Sequence, residues 1–145
     1  MALKTRLIVV PVLVDDNERV LLCRMAPHRG VFPGQWALPG GGVEPGERIE
    51  DALRRETREE LGIELASFQP LLFKDAVLDK TGEDGVTQPL HMVFLVYLCT
   101  PASFDLSLNE EFSEAAWVPG QELDGLSLSG LTRDTLAQAG LIPTS

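Results

Sequence analysis

The sequence has only two cysteines and two histidines among its 145 residues, and this scarcity closes several chemical routes. Cys23 and Cys99 lie in apolar runs without Cys-x-x-Cys spacing, so two buried thiols are expected rather than a disulfide or a thiolate zinc site. His28 and His91 are too few and too scattered for a histidine-built metal centre, and no Ser–His–acid triad is on offer. His91, inside a strand-like run, reads as structural.

Basic side chains are also scarce, twelve against twenty-two acidic ones, for a net charge of −10. The balance is +2 over residues 1–40, −3 over 41–63 and −9 over 64–145. Such a surface repels nucleic-acid backbones and anionic lipid, so neither a nucleic-acid polymer nor a membrane is an expected partner. An anionic substrate then needs a divalent cation to mediate.

Long apolar segments are absent, and nothing is long enough to cross a bilayer. Leu7–Val14 superficially resembles a leader peptide, but it is β-branched, contains Pro11 and ends in Asp15-Asp16, which suits a strand. A cytoplasmic setting is the expectation. Repeats, low-complexity tracts and linkers are missing too. With 44% apolar and 23% charged residues, a single globular domain over residues 1–145 is expected.

What is present reads as strands at Arg6–Val14 and Arg19–Met25 around a polar turn, then a Pro- and Gly-rich loop over Ala26–Gly34. A short strand at Trp36–Leu38 meets a break at Pro39-Gly40-Gly41-Gly42. A helix follows over Glu47–Leu61, stopped by Gly62. Strands are expected at Ile63–Val77, Gln88–Cys99 and Ala115–Val118, a loop at Asp79–Gly85, and a closing helix at Thr132–Ala139. Without regular βαβ alternation, this pattern predicts a mixed sheet flanked by helices.

On a wheel at ~100° per residue, Ile49, Ala52, Leu53, Thr57 and Leu61 share one side of the Glu47–Leu61 helix. Glu50, Asp51, Arg54 and Arg58 share the other. Glu56 and Glu60 break the pattern, because their four-residue spacing puts both on the apolar side, with Glu59 at its edge. Inward carboxylates repel one another and lose hydration, so they must be protonated, paired or metal-bound. Salt bridges to Arg55 or Arg58 are one solution. Their position near the helix C-terminus, which opposes the dipole, favours a hard cation instead. The glycine run just before the helix offers a backbone able to approach a metal or a phosphate closely.

The segment Gly41-x5-Glu47-x7-Arg55-Glu56-Thr57-x-Glu59-Glu60-x-Gly62-Ile63 resembles the Nudix box, with Thr57 the sole departure, at an apolar position. The resemblance implies an α/β fold, an α/β/α sandwich with a mixed central sheet and the Nudix loop-helix-loop. It implies Mg²⁺, with Mn²⁺ as a substitute, held by Glu56, Glu59, Glu60 and the Gly40 carbonyl. One of the glutamates, Glu56 foremost, would serve as general base, with Glu47 and Arg55 bracing loop and helix. The activity implied is hydrolysis of a phosphoanhydride by water, for which metal ions neutralise charge and acidify a bound water.

Leu21–Met25, Arg29–Leu38, Gly40–Glu50, Asn109–Phe112 and Ala116–Val118 are further similar to the family's bacterial nucleoside triphosphatases. That similarity implies cleavage of a pyrimidine deoxynucleoside triphosphate (dUTP, dTTP or dCTP) to monophosphate and pyrophosphate. Pro39 departs from it, since a Ser is expected there. Hydrolysis of 8-oxo-dGTP, ADP-ribose or another nucleoside-diphosphate derivative is an alternative, and a non-catalytic nucleotide-sensing module is another. Arg24 and Arg29 are candidate substrate contacts, and Glu111 or its neighbour Glu110 a candidate extra ligand. Phe32, Trp36 and Phe112 are placed in the core ahead of base stacking, Trp117 in the core, and Met25, Met92, Phe94, Val96 and Leu98 on a sheet face rather than in a pocket. A monomer or homodimer is expected.

Overall fold

The structure, a computed structural model, describes residues 3–142. Strand β1 (Lys4–Leu13) is exposed at its start and, from Ile8 to Leu13, apolar and buried on both faces. Its period of two sends Ile8, Val10 and Val12 to one core and Val9 and Leu13 to the other. The same division holds for β2 (Arg19–Met25) and β6 (Thr87–Pro101), where Leu22, Phe94 and Val96 face the first core and Leu21, Cys23, Tyr97 and Cys99 the second. Helix α1 (Ile49–Leu61) closes the second core with Ala52, Leu53 and Leu61; helix α2 (Gly130–Gln138) closes the first with Leu136.

The expected α/β/α sandwich is therefore present, with its sheet layer divided in two. One sheet is mixed, in the order β4-β1-β6-β5, where β4 is Gly41–Gly42 and β5 is Leu65–Thr81. Within it β1 runs parallel to β6, and the other pairs are antiparallel. The second sheet is antiparallel, in the order β3-β2-β7, with β3 at Trp36–Ala37 and β7 at Phe112–Pro119. The polar turn after β1, in which Glu18 has φ of 60°, carries β2 out of the first sheet and leaves a single bridge, Val14 to Val20, across the corner.

Several boundaries move for identifiable reasons. Gly41 and Gly42 pair with β1 as a short strand where a break was expected. Helix α1 begins at Ile49, because Gly46 (φ 81°) and extended Arg48 hold the preceding turn, leaving Glu47 outside the helix. In the first helical turn Ile49 is 39% exposed and takes no part in the apolar face. Helix α2 starts at Gly130, two residues early, because the Ser129 side chain caps it by accepting from the Thr132 amide. Strands β5 and β6 extend to Thr81 and back from Thr87, so the expected loop shrinks to a hairpin tip. Gly62 ends α1 in the left-handed conformation, φ 71°, as the sequence predicts.

Cys23 and Cys99 are free and buried. Trp117 packs on the α1 side of the core. His91 pairs with Asp75 on the neighbouring strand at 2.6 Å, a cross-strand contact on the exposed part of the hairpin. Among the described residues no helix is long and apolar enough to cross a membrane.

Leu53 is fully buried between α1 and the sheets. Leu53→Ala is expected to cost about 2–5 kcal/mol of unfolding free energy in urea titrations. Phe73→Ala, on an edge strand at 81% exposure, should stay within about 0.5 kcal/mol of the parent.

Candidate active site

The loop from Gly41 to Arg48 is fastened to α1 by one side chain. Arg55 Nε and Nη2 donate to the two Glu47 oxygens at 2.8 and 2.9 Å, a bidentate pair. Nη2 also donates to the Gly42 carbonyl at 2.9 Å, and Nη1 to Glu56 at 2.9 Å and Glu59 at 3.1 Å. The guanidinium holds the Glu47 carboxyl down to about 2, and these carboxylates raise the Arg55 pKa in turn. Arg58 pairs with Glu64, so both arginines form bridges, but neither reaches Glu60.

Glu60 is 1% exposed, and neither carboxyl oxygen accepts from a donor in normal hydrogen-bond geometry; its near neighbour is the Glu111 carboxyl. Burial pushes its pKa well above the ordinary 4.5, and the carboxylates of Glu111 and Glu56 push it further. The Gly40 amide opposes this, without closing a hydrogen bond of normal geometry. Burial also raises the pKa of Glu56; Arg55 offsets part of this, while Glu59 and Glu111 add to it. Gly41 lies against Glu56 so closely that a Cβ there would fall 2.1 Å from the carboxylate. Thr57, the odd residue in an apolar position, is buried and donates to the Leu53 carbonyl at 2.7 Å, so its hydroxyl needs no other partner.

Glu111 reaches this cluster from the start of the last strand pair. The Asn109 amide donates to the Glu60 carbonyl at 3.2 Å and the Ser107 amide to that of Leu61 at 2.8 Å, which ties the loop to the end of α1. Asn109 Oδ1 then accepts from the Glu111 amide, and the Glu111 carbonyl from the Ala26 amide.

A cavity of about 470 Å³ opens beside these groups, and Glu56, Glu60, Glu111 and Gly40 to Gly42 are part of its lining. Apolar side chains complete its wall: Ile8, Val10, Met92, Phe94 and Val96 of the sheet and Leu131 of α2. Met25, Met92, Phe94 and Val96 are thus wall as well as sheet face, which the strand alternation alone does not distinguish. Phe32 and Phe112 also line it, and Trp36 does not.

The site residues named from the sequence therefore separate. Glu56, Glu60, Glu111, Gly40 and Arg29 share the cavity. Glu59 is not in its lining; its side chain is 57% exposed and held by Arg55. Among the described residues no three His, Cys, Asp or Glu side chains stand together as a ready metal cage. Arg24 is turned elsewhere, to the Gly34 carbonyl at 3.1 Å and Glu114 at 3.2 Å, because the β2–β7 register places Glu114 opposite it. Arg29 is paired with Glu83 at 2.9 Å.

Two cations at the cavity were not singled out from the sequence, Arg6 and Lys80. Arg6 lies over β4, where a Cβ on Gly42 would fall 2.0 Å from its Nη2. No short-range spacing links Arg6 to the box. The β1–β4 pairing, which sets Ile8 opposite Gly42, brings them together. The donor set is hard oxygen, with an orphaned buried carboxylate at its centre, and this fits a divalent cation of the magnesium or manganese kind.

Comparison with known proteins agrees with this geometry. The NUDIX domain model matches residues 4–140. The nucleoside triphosphatase NudI of Escherichia fergusonii is 50% identical over 142 residues, which span 97% of this chain and all of that protein. A MutT NUDIX hydrolase from Burkholderia pseudomallei is 31% identical, superposing with a TM-score of 0.71 over 93% of this chain and 98% of its own. The MutT protein from Methanosarcina mazei Go1 shares the fold at a TM-score of 0.80 and 21% identity, over 97% and 96% of the two chains.

Because the folded-state pKa of Glu60 is raised, its contribution to stability is present below about pH 4.5 and is lost as pH rises through the folded value. In EDTA, Glu60→Gln should therefore melt above the parent at pH 7, with the gap closing as pH falls toward 4.5. Thermal scans across that range check the sign. Equal midpoints at pH 7 would contradict the buried, unpaired placement.

Proposed function

The chain belongs to the NUDIX family, and on that premise we propose that it hydrolyses a nucleoside triphosphate to the monophosphate and pyrophosphate, with a pyrimidine deoxynucleoside triphosphate as substrate. The observation that carries this reading is Glu60, a buried carboxyl set against those of Glu111 and Glu56 in the wall of a largely apolar cavity. A buried anion of this kind is tolerable when a cation compensates it.

Members of the family work with a divalent metal. Here the ion is Mg²⁺, with Mn²⁺ as substitute; Glu56, Glu60 and the Gly40 backbone would hold it, joined by Glu111 and, on release from Arg55, by Glu59. Bound there, it supplies charge neutralisation on the phosphates and acidifies water. The rest belongs to the chain. Glu56, which lines the cavity beside Glu60 and is held by Arg55, is placed to accept the proton of the attacking water. Arg55 and Glu47 keep Glu56 from swinging away, which makes them positioning residues. Arg6, Arg29 and Lys80 at the rim offer positive charge to the phosphate oxygens, and Ile8, Val10, Met92 and Phe94 provide a dry wall for the base. The reaction takes place in the cytoplasm in this reading.

The deciding measurement is pyrophosphate release from a nucleotide panel, with Mg²⁺ and with EDTA. Turnover of dTTP and dUTP that EDTA abolishes is expected. Absence of turnover with every nucleotide points to a sensor, and preference for ADP-ribose or 8-oxo-dGTP removes the pyrimidine assignment. Glu60→Gln should lose more activity than the roughly 10–100-fold typical of an outer-shell partner, a loss expected for Arg55→Lys. Arg6→Ala should raise KM roughly tenfold with little change in kcat.

A further inference from the structure

The first turns of α2 contribute to the cavity wall, where Thr132 and Thr135 are 4% and 3% exposed and both line the cavity. Their hydroxyls have opposite, fixed polarity. Thr132 Oγ1 accepts from Ser129 Oγ at 2.8 Å and from the Leu38 amide at 3.4 Å, which occupies both lone pairs. Ser129 supplies the proton on the line between the two oxygens, so the Thr132 proton points elsewhere and has no acceptor among the described residues. Thr135 is the converse. Its Oγ1 donates to the Leu131 carbonyl at 2.7 Å, which commits the proton and leaves lone pairs. Three residues apart on one helix, the two hydroxyls share a side.

A donor without an acceptor and an acceptor without a donor, beside walls that offer no hydrogen bonds, call for a ligand edge of the reverse order. We propose that Thr132 and Thr135 read the substrate's base, Thr132 donating to a ring carbonyl and Thr135 accepting from the adjacent ring N–H. This lactam edge, H–N–C=O, belongs to uracil and thymine. Cytosine presents the reverse, an amino group beside a bare ring nitrogen, so its amino protons meet the Thr132 proton and its ring nitrogen the Thr135 lone pairs. Guanine carries the same lactam edge on a larger ring. The assignment rests on the nucleoside triphosphate reading above and adds discrimination by base.

The test is kcat/KM for dTTP, dUTP, dCTP and dGTP in the parent, Thr132→Val and Thr132→Ser, with thermal midpoints alongside. The parent should favour dTTP and dUTP over dCTP by roughly tenfold or more. Thr132→Val should erase most of that ratio, lowering dTTP and dUTP roughly tenfold while dCTP stays within about twofold. Any dGTP turnover should fall in step with dTTP. Thr132→Ser, which keeps the donor, should restore the ratio. Equal parental kcat/KM for dTTP and dCTP overturns the proposal, as does an equal loss on both in Thr132→Val with a lowered midpoint, the mark of a purely structural threonine. If no nucleotide is turned over, the hydrolase reading fails by itself. Calorimetric Kd values for dTMP and dCMP then judge the threonines separately: Thr132→Val must weaken dTMP alone, and parallel weakening or none overturns the assignment.

Discussion

Arg55 has five N–H groups, and all five are used: two on Glu47, one on the Gly42 carbonyl, one on Glu56 and one on Glu59. A saturated, planar guanidinium has no freedom to turn, so it fixes the distance between a glycine-rich loop and the helix behind it. The position of Glu56 in the cavity follows from that link, and so does the close passage of Gly41 over it. Without it the loop would carry only its turn hydrogen bonds and its two-residue pairing with β1.

The second organising feature works against stability. α1 buries Leu53 and Leu61 fully, and the same face buries Glu60 just as deeply. A helix chosen for packing alone would carry leucine there. The carboxylate is kept under the end of α1, with Glu111 brought to it by amides that bond the last helical carbonyls. Burying a carboxyl at that position costs folding free energy that a leucine would not. The cavity wall thus combines carboxyl oxygen, hydrocarbon and two buried threonines.

The sequence revealed most about what is local. The period of α1 placed Glu56 and Glu60 inward, and Gly62 marked the helix end, because both signals lie within a few residues and follow from helix geometry alone. The resemblance to the Nudix box implies a bracing role for Glu47, but its place outside the helix is not legible in the sequence, since the turn that excludes it depends on Gly46 in the left-handed region. Arg6 and Lys80 were missed because their approach to the site depends on strand pairing, and nothing in residues 1–10 encodes which strand lies alongside. Arg24 illustrates the converse: the right type on the right strand, drawn away by Glu114, ninety residues distant in the chain. Whether Met92 and Phe94 merely pack or also line a cavity depends on how closely α2 sits, which alternation does not specify.

The parallel pairing of β1 with β6 reaches beyond the finished molecule. Each β1 residue from Lys4 to Leu13 finds its partner 86 positions later in the chain. At about 5–20 residues per second of synthesis, the first strand waits roughly 4–17 s for its neighbour to be made. During that interval it is an unpaired ribbon of Leu, Ile and Val emerging ahead of everything that will cover it. Only Pro11, Lys4, Arg6 and the Asp15-Asp16 pair that follows interrupt its appetite for other strands. Arg6 thus has a place in the history of the fold as well as at its cavity, as one of the few charges on an otherwise apolar strand.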